Sequence, residues 1–181
     1  MARFRFGEGE YRYFAAPLPR SVAALRAHLY EHLAPVANRW KEALGEEERF
    51  PPGLRAYLAR CAASGQTRPT PLLLRYTAGG YNCLHQDLYG ALAFPLQVTC
   101  LLGRRGADYA GGEFLIVEQR PRAQSRAEVI VLERGEAVIF PNRHRPVAGA
   151  RGAYRATVRH GVARVTGGER LSLGIIFHDA E

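Results

Sequence analysis

This chain has little lysine, little cysteine and no long apolar run. Lys41 is the only lysine among 25 basic residues, and there is one Met and one Trp in 181 residues. No stretch of apolar residues approaches membrane-spanning length, and the opening Met1-Ala2-Arg3-Phe4-Arg5-Phe6 lacks the apolar core of a signal peptide. A soluble cytoplasmic protein with no membrane partner is therefore expected. Cys61, Cys83 and Cys100 are odd in number, widely spaced and in no CxxC pair. That excludes a disulfide framework and a cysteine-built zinc site, and predicts buried thiols in a reducing compartment. Cys83, two residues before His85, is expected on the same strand face as that histidine, most simply as packing.

What is present is arginine. The net charge is +8 and the pI about 9.9. Guanidinium groups favour planar, bidentate contacts to carboxylates and phosphates, and a basic surface attracts nucleic acid. A GC-rich codon bias would also turn surface lysines into arginines, so charge alone assigns no partner, nucleic acid or protein.

At 47% hydrophobic, residues 1–181 suffice for one domain with one sizeable core. From Ser21 to Leu44, Leu25, Leu29, Leu33, Val36, Trp40 and Leu44 recur at helical spacing, with Ser21 as N-cap, Gly45 as stop, and Pro35 expected to kink or split the helix. After Pro51-Pro52 a shorter helix carries Leu54, Leu58 and Cys61 and ends near Gly65. His28 and His32, one turn apart, have no third ligand nearby and predict a half-exposed helix surface. Residues up to about 70 are thus expected to be helical support. From about 71 to 181, short apolar runs punctuated by glycine predict strands over Leu72–Tyr76, Leu96–Leu102, Glu113–Glu118, Val129–Leu132, Ala137–Phe140, Tyr154–Arg159 and Leu171–Phe177. Such spacing indicates a mainly β sandwich or barrel, buttressed by the N-terminal helices, with a site in its mouth.

His85-Gln86-Asp87 is the most chemically suggestive triplet. On one strand, a His and an Asp two residues apart share a face and can bind one ion. A distant third ligand would complete a two-His-one-carboxylate face that leaves positions open. A lone His-x-Asp is weak, because such pairs arise by chance in chains of this size.

The context strengthens it. Arg75-Tyr76-Thr77-Ala78-Gly79-Gly80-Tyr81-Asn82-Cys83-Leu84-His85-Gln86-Asp87 resembles the metal-binding strand of Fe(II)/2-oxoglutarate-dependent oxygenases, especially the alkylated-DNA repair (AlkB-type) branch. His160-Gly161-Val162, followed ten residues later by Arg170-Leu171-Ser172, resembles the closing motif of that superfamily in its prolyl-hydroxylase-like spacing. Gly111-Gly112-Glu113-Phe114 resembles a turn common between the two. The matches span about residues 71 to 178.

The resemblance implies a double-stranded β-helix (jelly-roll) core, with His85, Asp87 and His160 as Fe(II) ligands. It also implies 2-oxoglutarate as cosubstrate, its far carboxylate held by Arg170 with Ser172 and Tyr76, and O2 as oxidant. The products would be succinate, carbon dioxide and a substrate oxidised at a C–H bond. His144, in Arg143-His144-Arg145-Pro146-Val147, rivals His160 as distal ligand, but only His160 has an arginine ten residues on, followed by Ser. His178 is expected to be structural or solvated.

The substrate is less legible. The leading expectation is oxidation of a nucleic acid base, such as demethylation of alkylated DNA. Arg120-Pro121-Arg122, Arg143-His144-Arg145 and Arg151 would then position phosphates near the mouth. Tyr81 or Tyr89 would stack a base, extruded if the substrate is duplex. Hydroxylation of a protein, peptide or small molecule is the second reading. A metal-binding β-barrel module without turnover is the third, which the intact triad plus Arg170 argues against.

Overall fold

The computed structural model describes residue 1, residues 6–150 and residues 152–181. Residues 2–5, within the segment read as lacking a signal-peptide core, and Arg151, a candidate phosphate contact, lie outside the described residues. The elements in order are β1 (Gly7–Glu8), β2 (Glu10–Tyr13), α1 (Arg20–Ala43), α2 (Leu54–Ala63), β3 (Leu72–Thr77), β4 (Tyr81–His85), β5 (Leu96–Leu101), β6 (Tyr109–Gly111), β7 (Phe114–Gln119), β8 (Arg126–Ile130), β9 (Ala137–Pro141), β10 (His144–Gly149), β11 (Gly152–Val162) and β12 (Val165–Ile175).

Two six-stranded sheets hold the strands. One runs β1-β4-β11-β7-β8, with β10 also on β11; the other runs β2-β3-β12-β5-β9, with β6 also on β12. All of these pairings are antiparallel. Successive strands pass repeatedly from one sheet to the other, the double-stranded β-helix (jelly-roll) expected. Alternation along β5 and β12 builds both sides of the second sheet at once. Leu96, Val98, Cys100, Leu173 and Ile175 pack towards the helices, whereas Gln97, Thr99, Ser172 and Gly174 line a cavity between the sheets.

The helices buttress the outer face of the second sheet. Tyr30, Phe50, Tyr57, Phe94 and Phe177 form an aromatic cluster there, with Phe94 4.8 Å from Phe50, 5.0 Å from Tyr30 and 5.1 Å from Phe177 between ring centroids. The buried face of α1 is Val22, Arg26, Tyr30, Leu33, Ala34 and Ala37. It is rotated by about one residue from the expected stripe, and Leu25, Leu29, Val36 and Trp40 flank it half-buried. The reason is Arg26. It reaches the carbonyls of Ile176 (2.9 Å) and Phe177 (3.0 Å) and the Asp179 carboxylate (2.8 Å), so a charged side chain occupies a core position with its donors satisfied.

Several helix expectations are corrected. Pro35 does not split α1: it is exposed, so the carbonyl it leaves unpaired is on the solvated side. Pro19, not Ser21, occupies the N-cap, with no side-chain cap bond. Gly45 does follow the C-terminus, in the left-handed region at φ 70°. His28 and His32 are exposed rather than half-exposed, and His32 Nδ1 lies 2.9 Å from the His28 carbonyl.

The N-terminal third is also not purely helical. Gly7–Glu8 pairs with β4 and Glu10–Tyr13 with β3, so residues 7–13 cross from one sheet to the other. These polar, glycine-rich edge strands carry no apolar run for a pattern to detect. Nor does β10, an arginine- and proline-bearing strand that among the described residues pairs with β11 alone. The strand expected over Val129–Leu132 sits at Arg126–Ile130, where it pairs with β7.

His178 is 1% exposed, a structural rather than solvated residue. Its Nδ1 accepts the Phe94 N–H at 3.2 Å, so the ring proton sits on Nε2. Burial pushes its pKa down to about 4. Because the folded value lies below the unfolded one of about 6.5, its contribution to stability is complete above pH about 6.5. That contribution then falls as pH drops towards about 4 and is flat below. Denaturant midpoints across this window should show a slope that is reduced in His178→Gln; an unchanged slope would assign it to other groups.

Candidate active site

The site is built where β4 and β10 succeed one another along the same edge of β11. His85 ends β4 opposite His160, and His144 begins β10 opposite Thr157. In the gap, the Gln86 side chain donates to the Val158 carbonyl at 2.8 Å, satisfying backbone that neither strand reaches. Asp87 therefore approaches from a loop, not from the strand expected. Its backbone N–H donates to the buried Asn142 Oδ1 at 3.1 Å, and Tyr89 donates its hydroxyl to Asp87 Oδ1 at 2.5 Å.

A β-bulge sets the faces. His160 and Val162 are two residues apart on β11, but their partners His85 and Asn82 are three apart on β4. The extra residue inverts the alternation, so Asn82 and His85 both line the cavity while Cys83 is exposed. This corrects the expectation that Cys83 shares the His85 face and is buried; of the three thiols only Cys61 is fully buried. The close approach needs glycine at 161, where an added Cβ would lie 2.6 Å from the Asn82 carbonyl oxygen.

His85, Asp87 and His160 present ligand atoms that all lie within 4.8 Å of one another. His85 Nε2 is 3.5 Å from Asp87 Oδ1, His160 Nε2 is 3.3 Å from Asp87 Oδ2, and the imidazole centroids are 4.3 Å apart. His85 Nδ1 lies 2.7 Å from the Cys83 carbonyl, an acceptor only, so it carries the proton and leaves Nε2 a free lone pair. Burial alone would raise the Asp87 pKa, yet the bonds and charges of His160 and His85 hold it well below the usual carboxylate range. Burial wins at His160, whose pKa falls; at His85 the Asp87 bond and charge outweigh burial, and the pKa rises. Phe140 and Phe114, with centroids 4.6 and 5.9 Å from the His160 ring, shield it from water. Two imidazole nitrogens and a carboxylate converging on one point suit a borderline divalent ion such as Fe(II).

The same cavity, about 300 Å³, contains Arg170, Ser172 and Tyr76. Arg170 is 2% exposed. Among the described residues it has no carboxylate within ion-pair distance, and its Nε has no partner. Its Nη1 donates to Ser172 Oγ at 3.0 Å, and its guanidinium carbon lies 5.8 Å from the Tyr76 ring centroid and 6.0 Å from that of Tyr109. Burial lowers the Arg170 pKa, but a guanidinium remains charged. Register puts Arg170 directly opposite Tyr76, whose buried hydroxyl is also unpartnered among the described residues. Ser172 accepts from Arg170 and keeps its own proton to donate. A buried cation flanked by two free hydroxyl donors fits a small dianion such as 2-oxoglutarate. The Gly-Gly-Glu turn makes room for it: a Cβ at Gly112, in the left-handed region at φ 65°, would lie 2.8 Å from Arg170 Cδ.

The substrate residues expected from basic charge fare differently. Among the described residues, Tyr81, Arg120, Arg143, His144 and Arg145 do not line the cavity. Arg120 and Arg145 are both bonded to Glu118, and the Arg164 guanidinium lies over Tyr81 with 5.2 Å to the ring centroid. His144 Nδ1 faces Thr157 Oγ1 at 3.5 Å on the edge strand, and its pKa is lowered by partial burial and by Arg143. Charge pattern does not report which face of a strand a side chain takes. Tyr89 does line the cavity. Residues not anticipated there are Phe6 just before β1, Tyr11 and Tyr13 on β2, and Asn82, Gln97 and Thr99 on the inner faces. The Tyr11-Arg12-Tyr13 alternation was the available signal.

If His160 is the distal ligand, His160→Ala should lower Fe(II) affinity at least about 100-fold, while His144→Ala changes it little. Loss in the His144 variant alone would overturn this assignment.

Two antiparallel sheets enclosing a two-imidazole, one-carboxylate cluster and a buried arginine define the class: a double-stranded β-helix oxygenase. The chain belongs to the Oxygenase-NA family, described as an oxygenase catalysing oxidative methylation of damaged DNA, whose profile matches residues 9–180. It is 49% identical over 167 residues to the uncharacterized proteins MT2286 and Rv2227 of two Mycobacterium tuberculosis strains, covering 92% of this chain and 72% of theirs. A prolyl-4-hydroxylase of Pseudomonas putida shares the fold over 99% of this chain and 77% of its own, at a TM-score of 0.56 and 16% identity.

Proposed function

We propose that this oxidoreductase is an Fe(II)- and 2-oxoglutarate-dependent dioxygenase that oxidises alkyl groups on nucleic acid bases. Arg170 carries the cosubstrate half of the reading: a buried guanidinium without a carboxylate partner among the described residues, in the cavity that holds His85, Asp87 and His160. Those three side chains would hold the metal, which supplies activation of dioxygen when 2-oxoglutarate is bound. Arg170 would clamp the far carboxylate, with Ser172 and Tyr76 donating to it. That fixes the keto acid end towards the triad, and Phe114 and Phe140 exclude water beside His160.

Three observations favour a base as substrate: the family's description, the +8 charge, and the aromatic wall of Phe6, Tyr11 and Tyr13 lining the cavity. Planar rings stack on such walls in any sequence context. The donor set supports methyl loss rather than methyl gain. Oxidation of an N-methyl C–H gives N–CH2OH, which releases formaldehyde, while 2-oxoglutarate and O2 become succinate, carbon dioxide and the inserted oxygen. Thiols without disulfides among the described residues suit a reducing, cytoplasmic setting.

Succinate release should rise above its uncoupled background with methylated oligonucleotides at low salt, and formaldehyde should appear in step. No stimulation by alkylated DNA or RNA, with stimulation by a peptide library, would transfer the assignment to protein hydroxylation. Anaerobic addition of Fe(II) and 2-oxoglutarate should give a visible absorption band; no band and no oxygen uptake would leave a binding module.

A further inference from the structure

Seven buried side-chain atoms among the described residues lack a hydrogen-bond partner, and five belong to residues lining the cavity: Tyr76 Oη, Asn82 Oδ1, Gln97 Nε2, His160 Nδ1 and Arg170 Nε. Tyr76 and Arg170 belong with the anion clamp, His160 with the metal cluster, and the Asn82 atom is an acceptor on β4 opposite Val162. Gln97 belongs to neither. It is 3% exposed, and its unsatisfied atom is an amide donor. Leaving such a group unpaired in a folded interior costs free energy, so it points to a partner that arrives with a ligand.

Register separates Gln97 from the clamp that would hold the far carboxylate of the cosubstrate. Ser172, where the Arg170 head is tied, pairs with Leu101, and Ile175 pairs with Val98. Gln97 therefore lies one step beyond that last pair, level with Ile176 and four residues from Ser172, about 13 Å along the strand. A five-carbon dicarboxylate spans about 7 Å end to end, from C–C bonds of about 1.5 Å. Gln97 instead sits beside the metal cluster: it pairs with Phe140, whose ring is 4.6 Å from that of His160. On the other side of the same inner sheet face, Tyr13 pairs with Leu72, and Leu72 with Gly174, one level nearer the clamp.

We infer that Gln97 determines specificity, donating its Nε2–H to a carbonyl acceptor adjacent to the alkylated ring nitrogen of the substrate. The inference rests on the nucleic acid reading above. It distinguishes two substrates by elementary chemistry. 3-Methylcytosine has the O2 carbonyl next to its methylated nitrogen. 1-Methyladenine has a C–H and an exocyclic amine there, and offers no such acceptor.

The test uses fluorescently labelled single strands carrying one or the other base, bound anaerobically to the Fe(II)- and 2-oxoglutarate-loaded protein, followed by formaldehyde release in air. Gln97→Leu should weaken 3-methylcytosine binding about 10- to 100-fold and 1-methyladenine binding less than about 3-fold, and Gln97→Glu should do the same because it presents acceptors only. The apparent affinity for 2-oxoglutarate should not move. The denaturant midpoint of Gln97→Leu should hold or rise, because an unpaired buried amide is replaced by apolar volume; a fall would mark the amide as structural and overturn the inference. Equal weakening for both bases, none for either, or a parallel loss of 2-oxoglutarate affinity would overturn it too. If the unaltered protein binds and demethylates neither strand, the nucleic acid reading fails and takes this inference with it. If it handles both strands and Gln97→Leu does so equally well, only the role of Gln97 fails.

Discussion

Arg170→Met should lower kcat/KM for 2-oxoglutarate by about 1,000-fold, the scale of removing one member of a buried, hydrogen-bonded charge pair. Most of the loss should appear as a raised KM, since the guanidinium would hold the end of the cosubstrate remote from the metal. The same substitution should leave the thermal midpoint of the ligand-free protein unchanged or higher. In that state Arg170 is a buried cation whose nearest companions are Ser172, Tyr76 and Tyr109, with no carboxylate in ion-pair contact among the described residues and only the more distant charge of Glu113 to offset it. Replacing it with an apolar side chain of similar length removes an uncompensated charge rather than a bond. An arginine that serves only the fold would do the opposite, costing stability and leaving 2-oxoglutarate kinetics intact. Succinate release as a function of 2-oxoglutarate, together with a melting curve, separates the two, and the second pattern would sink the anion clamp.

Asp87→Ala should remove Fe(II) binding, with affinity falling at least about 100-fold, because losing a ligand outweighs the 10- to 100-fold typical of losing a residue that orients one. Tyr89→Phe supplies that milder comparison. The Tyr89 hydroxyl donates to Asp87 Oδ1 at 2.5 Å, while Oδ2 faces His160 at 3.3 Å, so its loss frees the carboxylate to rotate. About a tenfold drop is expected there. Competition against a fluorescent chelator measures both. Full Fe(II) affinity in Asp87→Ala would show that the carboxylate is not a ligand, and equal losses in both variants would show that orientation is all it provides.

Both experiments concern side chains legible in the sequence, and it is worth asking why those were legible when others were not. His85, Asp87, His160, Arg170, Ser172 and Tyr76 form a motif because their chemistry fixes residue type, and the structure brings all six to one cavity. The strands after Pro71 were legible where both faces are buried, as in β5 and β12, since burial forces apolar residues on at least one face. The bulge in β4 left no such trace: one additional residue turns Cys83 outward, and alternation read from the letters cannot reveal it. Arg26 was hidden for the opposite reason. Its core position depends on the carbonyls of Ile176 and Phe177, which lie 150 and 151 residues away, so helical periodicity placed the buried stripe one residue off. Basic triplets such as Arg143-His144-Arg145 do not line the cavity, because charge states that a residue prefers solvent, not which solvent-facing side it takes.

The crossing segment at the start of the chain bears on how such an enzyme could change its diet. Phe6, Tyr11 and Tyr13 belong to a stretch attached by edge strands with one partner each, whereas the six residues of the motif stand on or beside β3, β4, β11 and β12. The aromatic wall and the candidate ligands thus lie in separate segments of the chain, joined where Tyr13 meets Tyr89, the residue that donates to Asp87. Substitutions at Tyr11 and Tyr13 would reshape that wall of the cavity without editing the residues that would hold a metal.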